Sequence, residues 1–206
     1  MLVVGVEMSK IEQNREKKRL AILQAAKSIF LSEGYTAASM DNIASQANLT
    51  KQTLYRYFPS KVELFQSTLR QIGESYNESY LSYLALSDSR EALIEFAKQF
   101  MRFHLSPEHI ATQRLLIAEA SQAPEVVESF MSIGPNDIQN SLRAFFTERL
   151  HIEQPESKIE LWLGMLLAPR SGALLGLTEF TDTQIEQHAI ESTDLLLFGI
   201  NDEGKL

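Results

Sequence analysis

A chain of 206 residues is long enough for one large or two small domains with a substantial core. It has no cysteine, which removes disulfides and thiolate chemistry, and no apolar run long enough to span a bilayer. Its net charge of −8 taken alone argues against a nucleic-acid partner, because duplex DNA repels an acidic surface. The distribution reverses that inference. Residues 1–70 hold 10 Lys and Arg against 6 Asp and Glu, a balance of +4, whereas residues 71–206 hold 9 against 21, a balance of −12. A basic head on an acidic body is the pattern of a chain that meets DNA at one end and resists nonspecific sticking elsewhere.

The opening MLVVGVEMSK has a short apolar patch with no basic stretch ahead of it and no cleavage signal, so it does not read as a secretion signal and a cytoplasmic location is expected. The first fifteen or so residues read as a polar tail leading into a helix. Lys10, Arg15, Lys17, Lys18 and Arg19 are placed either to touch phosphates or simply to solvate a helix end. Ile22, Ala25, Ala26, Ile29 and Phe30 then recur on one helical face, and Gly34 is a natural C-terminal stop.

From Ser39 to Lys61 the chain reads as two short helices, a tight turn and the capped start of a third. Ser39 can cap the first helix, whose apolar stripe is Ile43, Ala44 and Ala47. Asn48 tolerates the left-handed conformation of a sharp exit. Thr50 caps the second helix, with Leu49 and Leu54 as a hydrophobic staple and Phe58 on the same side as Leu54. Ser60 and Glu63 make an S-x-x-E box that opens the third. Lys51, Gln52, Thr53, Tyr55, Arg56 and Tyr57 are left around a two-turn helix, the composition of one that enters the DNA major groove. Lys51 and Arg56 suit guanine acceptors, Gln52 suits adenine, and Thr53 can add a methyl or hydroxyl contact. Ser39, Thr50, Tyr55, Tyr57 and Lys61 suit phosphates, although Tyr55 also fits a half-buried core position.

Here a resemblance becomes specific. From Leu20 to Phe65, about a quarter of the chain, the runs AAKSIFLSEGYTAAS, MDNIASQANLTKQTLYRYFPSK and ELF resemble the DNA-binding domain of the tetracycline-repressor (TetR/AcrR) family of bacterial transcription regulators. Asn48 and Gln52 stand where the family often has glycine or another small residue. Gln52 therefore puts a longer amide where bases are read, and operator preference does not transfer from relatives. The resemblance implies a head at residues 1–62, a regulatory and dimerisation domain at 63–206, and an all-α fold of about nine helices.

The helix after Lys61 is expected to run past Gly73 to Tyr80 and beyond, and no alternating strand pattern appears downstream. Helices are expected over about Ser89–Leu105, Glu108–Gln122, Glu125 to a break at Gly134 and Pro135, Asn136–Leu150, and Asp182–Gly199. Gly164, Ala168, Gly172 and Gly176 recur every four residues, a strip that lets another helix approach, with a break expected at Pro169. Together with Ile185, Ala189 and Leu196 of the last helix, this strip resembles the helix pair that forms the four-helix dimer interface of TetR relatives. A symmetric homodimer suits a palindromic double-stranded operator. More loosely, RLLIAEASQAPEVVESF and ELWLGMLLAPRSGALLGL resemble the body of an AcrR-like subgroup.

A small-molecule inducer is implied by the resemblance. Tyr76, Tyr80, Phe100, Phe103, His104, Leu116, Phe130, Trp162 and Met165 suit an apolar cavity with a few polar tips, or equally plain core. Arg114 and Glu119, inside the apolar run QRLLIAEA, read as a pair or as two exposed charges. No metal-ligand spacing involves the four histidines and no phosphate-cradling glycine loop appears, so neither an enzyme nor a cofactor is expected. The expected function is a DNA-binding regulator, most simply a repressor released by an inducer. The alternative is a dimer of the same fold that answers to a protein partner or to nothing.

Overall fold

In the computed structural model residues 9–133 and 136–202 are described, apart from the side chains of 74–79, 132–133, 136–137 and 201–202. The opening residues 1–8, the expected break at Gly134 and Pro135, and the side chain of Tyr76 lie outside that description. Among the described residues there are eleven α-helices and no strand. They are α1 Lys10–Glu33, α2 Met40–Gln46, α3 Lys51–Tyr57, α4 Lys61–Leu81, α5 Ser89–His104, α6 Pro107–Glu119, α7 Pro124–Ile133, α8 Asn136–Arg149, α9 Glu156–Leu167, α10 Arg170–Leu174 and α11 Asp182–Asp202, with a 3-10 turn at Ser82–Ala85. The count exceeds the expected nine in part because the chain breaks around Pro169, leaving α10 as a separate five-residue piece.

The helices start where side chains supply missing acceptors for free amides. Ser9 and Glu12 form a reciprocal capping box, so α1 begins at Lys10 rather than after a polar tail. Ser39 accepts from the Asn42 amide, Thr50 from the Thr53 amide, Ser60 from the Glu63 amide and Asp88 from the Glu91 amide.

The chain divides into two compact units. The first runs to Gln71 and takes in Leu115–Ile133; the second holds Ile72–Arg114 and the chain from Gly134 on. This division differs from a boundary at residue 62: α4 up to Gln71, the last turn of α6 and all of α7 belong with the head. Leu115, Leu116, Ala123 and Val126 are buried in the same cluster as Ile22, Phe30, Ile43, Leu54 and Phe65. Phe30, Tyr35 and Phe65 meet ring to ring at its centre, with centroids 5.1–5.9 Å apart.

The second unit is built on α5, whose Leu93, Phe96, Ala97, Phe100 and Met101 are buried together with Trp162, Phe146 and Ala189. Arg149 at the end of α8 donates to the carbonyls of Leu84, Leu86 and Ser87 and lies over the Phe145 ring, fixing the connection into α5. Where α5 meets α6, His104 Nδ1 and His109 Nε2 are 3.0 Å apart, with Gln113 Nε2 3.3 Å from the same His109 nitrogen. The Gln113 amide nitrogen is a donor, so His109 Nε2 accepts and His104 Nδ1 carries its hydrogen.

Burial, and then the charge of Arg170, lowers His109 to about 4; His104 is lowered well below the ordinary range by burial, His109 and Arg170. Both fold as neutral rings. Below the ordinary value of 6.5 the unfolded chain takes up protons that the folded chain refuses until about pH 4, so stability is full above that window and lost as pH falls through it. We predict that His109 contributes a loss of up to about 3 kcal/mol across this window in denaturant titrations, and that His109→Gln, whose amide oxygen can still accept from His104, makes the pH dependence shallower while the part due to buried His104 remains.

Candidate nucleic-acid interface

The α2–α3 pair is set by its turn. Asn48 adopts φ 55°, in the left-handed region, and the Leu49 amide donates to the Ala44 carbonyl at 2.9 Å. Leu54 is fully buried beneath α3 and Phe58 follows it inward, which fixes the outward face. Lys51, Gln52, Tyr55 and Arg56 are exposed on it, Tyr55 by 40%. Thr53 and Tyr57 are half-buried, and Tyr57 packs against the head's core. The Ser39 and Thr50 hydroxyls accept backbone amides, and Thr50 Oγ1 lies 2.9 Å from Thr53 Oγ1. A hydroxyl that accepts keeps its own hydrogen to donate, so capping and phosphate contact are compatible at Ser39, and at Thr50 when Thr53 is the donor of the bond between them.

Lys61 behaves differently from its sequence reading as a phosphate clamp. Its ammonium donates to the carbonyls of Tyr35 (2.8 Å), Thr36 (3.3 Å) and Ala38 (3.0 Å), and lies 4.6 Å from the centre of the Tyr35 ring. An ammonium has three donors, and all three are used inside the protein. Opposite it, Glu119 accepts from the Thr36 amide at 3.1 Å and from the Thr36 hydroxyl. Gly34 at φ 86° lies beneath this carboxylate, where an added Cβ would stand 2.7 Å from Glu119 Oε1. Glu119 does not pair with Arg114, which instead donates to the carbonyls of Ala173 and Leu174 in the second unit. Gln66 of α4 and Ser129 of α7 join at 3.1 Å within the same head unit.

Two recesses open beside α3. One, of about 670 Å³, lies between the start of α1 and the end of α3, lined by Lys10, Ile11, Asn14, Arg15, Lys18, Arg56 and Tyr57. The other, of about 500 Å³, has Ser39, Asp41, Lys51, Tyr55 and Lys61 in its wall. Lys51 Nζ sits 2.7 Å from Asp41, whose hydrogen bond raises the lysine above its ordinary range. Sequence reading did not single out Asp41, although an acid in the first turn of a helix beside a donor-rich face was visible.

In the second unit the expected interface residues separate. Gly164 on α9 and Ala168, the residue that caps its end, are exposed. Gly172 is half-buried, and an added Cβ would stand 2.5 Å from Thr178 Oγ1, so its small size serves the subunit itself. Gly176, exposed at φ 71°, ends the turn after α10. Ile185, Ala189 and Leu196 are buried in this unit's own core and are unavailable to a second copy. On α9 and α11 the exposed large apolar residues are Leu161, Leu195 and Phe198, at 66%, 63% and 70% exposure, and Leu175 and Leu177 after α10 are exposed as well. Moving one position along a helix turns the side chain by about 100°, and that is the difference between Leu195 and Leu196.

The inducer candidates also divide. Tyr80, Phe100, Phe103 and Trp162 are buried in the second core, Met165 packs against it, and His104 is half-buried. Leu116 is buried in the head's core and Phe130 packs against it, so neither lines a cavity of the second unit. Among the described residues the Trp162 indole N–H and the Thr193 hydroxyl are buried without a hydrogen-bond partner.

Residues 22–68 match the family described as bacterial regulatory proteins, tetR family, and residues 91–197 match the AefR-like transcriptional repressor C-terminal domain, about half of the chain. This chain belongs to the TetR family. Its members and the relatives found here are transcriptional regulators, not enzymes. The chain is 33% identical over 90 residues to the transcriptional activator FasR of Mycolicibacterium smegmatis, covering 43% of this chain and 41% of that one. It spans well under two-thirds of the length of the curated relatives it matches first. Solved structures extend further. A protein assigned to the TetR family, from Mesorhizobium loti, superposes with a TM-score of 0.79 at 24% identity, over 93% of this chain and 98% of that one. The flavonoid-responsive regulator FrrA does so with a TM-score of 0.72 at 30% identity, over 89% and 97%. No helix among the described residues is long and apolar enough to cross a membrane.

Lys61 and Arg56 should separate by what their loss costs. Lys61→Ala leaves three carbonyls of the turn without their donor and is expected to lower unfolding free energy by about 1–3 kcal/mol. Arg56→Ala, on the exposed face, should stay within about 0.5 kcal/mol of wild type in the same urea titration.

Proposed function

We propose that the protein is a homodimeric transcription regulator, most simply a repressor, that reads a palindromic operator through α3 and is released by a small molecule held in its second unit. The observation that carries the DNA reading is one helical face with Lys51, Gln52 and Arg56 exposed and the opposite side anchored by buried Leu54. Lysine and arginine suit the guanine O6 and N7 acceptors, and the Gln52 amide suits adenine N6 and N7. Tyr55, Tyr57, Ser39 and Thr50 contact phosphates around them, and Lys10, Arg15 and Lys18 extend the basic surface along α1. Lys61 supports the turn behind this face rather than the phosphates.

The dimer forms through α9 and α11. Leu161, Leu195 and Phe198 supply the apolar area, and Gly164 and Ala168 allow the helices to approach closely. The repressor reading is supported by the AefR-like repressor description of residues 91–197; the likeness to an activator leaves promoter position to decide the sign.

The ligand reading is supported by the buried, unpartnered Trp162 N–H within an aromatic core and by the likeness to a flavonoid-responsive regulator. A ligand acceptor that satisfied this N–H would favour whichever dimer state presents it, and release follows if that state spaces the two heads wrongly for the operator.

Selection of bound fragments from random duplexes tests the DNA reading. A palindrome with half-sites about one helical turn apart is expected, and Gln52→Ala should relax preference at one base pair in each half-site by about 1–3 kcal/mol. Sequence-independent binding, or a selected site without symmetry, overturns it. Trp162 is the chain's only tryptophan, so a ligand at this position should change its fluorescence as it releases the selected duplex. Release by a compound that leaves the tryptophan signal untouched would place the ligand elsewhere.

A further inference from the structure

An anion stands beside the donor-rich face. Asp41, in the first turn of α2, is exposed, and its carboxylate lies 2.7 Å from the ammonium of Lys51, the first residue of α3. That ammonium also lies 6.0 Å from the centre of the exposed Tyr55 ring. The fold has little use for the pair. The Ser39 hydroxyl already caps α2, the turn is set by Asn48 and Leu54, and an exposed ion pair adds little to stability.

Its consequence lies in what Lys51 can touch. A free lysine ammonium is drawn to any phosphate, which adds affinity for every sequence alike. With a carboxylate at 2.7 Å the pair is close to neutral, and a phosphate approaching Lys51 meets Asp41 as well. A guanine edge is uncharged and carries no such penalty. Asp41 occupies one of the three ammonium donors, and the remaining two match the O6 and N7 acceptors of guanine.

We propose that Asp41 is a specificity-determining residue: it holds Lys51 for a guanine edge and denies it to phosphates. This rests on the DNA reading proposed above, with α3 in the major groove.

The test is a double-mutant cycle on the full chain. Wild type, Asp41→Asn, Lys51→Ala and the double variant are titrated by fluorescence anisotropy at several salt concentrations. The probes are the selected palindrome and a scrambled duplex of equal length and composition. Asp41→Asn should tighten binding to the scrambled duplex by ~5-fold and steepen its salt dependence by about 0.9, the signature of one added phosphate contact. Binding to the palindrome should tighten less, so the ratio of the two affinities narrows. In the Lys51→Ala background Asp41→Asn should leave that ratio unchanged, because there is no ammonium to release. Asp41→Ser, which keeps a helix-favouring oxygen, should repeat the result if Asp41→Asn disturbs the head, as judged by melting temperature.

An unchanged ratio in Asp41→Asn overturns the proposal. The same narrowing with and without Lys51 also overturns it, because Asp41 would then act only as general repulsion. If wild type prefers no duplex, the DNA reading itself fails and this inference falls with it. A wild-type preference combined with an additive cycle removes this inference alone.

Discussion

The turn from Gly34 to Ala38 is held from both sides by charged groups. Glu119 meets its amide side through Thr36, and Lys61 gathers three carbonyls from its other side. The turn's own backbone supplies a bond from the Ala38 amide to the Gly34 carbonyl at 3.3 Å and leaves the Thr36 amide and the Tyr35, Thr36 and Ala38 carbonyls to side chains, and a buried group left unpaired costs about 1–3 kcal/mol. Two side chains from distant parts of the sequence therefore do what regular structure cannot. Gly34 is part of the same arrangement: its positive φ and its lack of a Cβ let the carboxylate come this close. The positions of α2 and α3 follow, because the chain enters α2 directly from this turn.

That arrangement explains why the unit bearing α3 is discontinuous in sequence. Its core needs Leu115, Leu116, Ala123 and Val126 from the end of α6 and from α7, and its turn needs Glu119. Between Gln71 and Leu115 the chain builds part of the second unit and then returns. A fragment ending at residue 62 would leave the Phe30 ring without Phe65 against it and the Thr36 amide without its acceptor.

How much of this could be read from sequence follows from the range of each interaction. The α2–α3 pair was legible because Ser39, Asn48, Thr50 and Leu54 act within four residues of their partners. The Ser9–Glu12 box obeys the same local rule and was open to the same reading, which instead placed a tail there. Lys61 was misread because its partners lie 23–26 residues earlier, and Glu119 because its partner lies 83 residues away. On α9 and α11 the sequence showed small and apolar residues at helical spacing, but spacing alone does not say which side of a helix faces inward. Burial decided that Ile185, Ala189 and Leu196 point home and that Leu161, Leu195 and Phe198 point out. Leu116 and Phe130 have the composition of cavity residues, yet chain topology delivers them to the other core.

The first eleven residues of α1, Lys10 to Leu20, are exposed apart from Glu16 and Arg19, yet they are helical throughout. A helix of that length is marginal in isolation, and here it inherits order from the buried turns that begin at Ile22. At about 1.5 Å per residue it is a rod of roughly 16 Å. Its cations are thus mounted at fixed intervals on a stiff spar, and meeting a row of anions would require little loss of backbone freedom, in contrast to a loose N-terminal arm that must first be ordered.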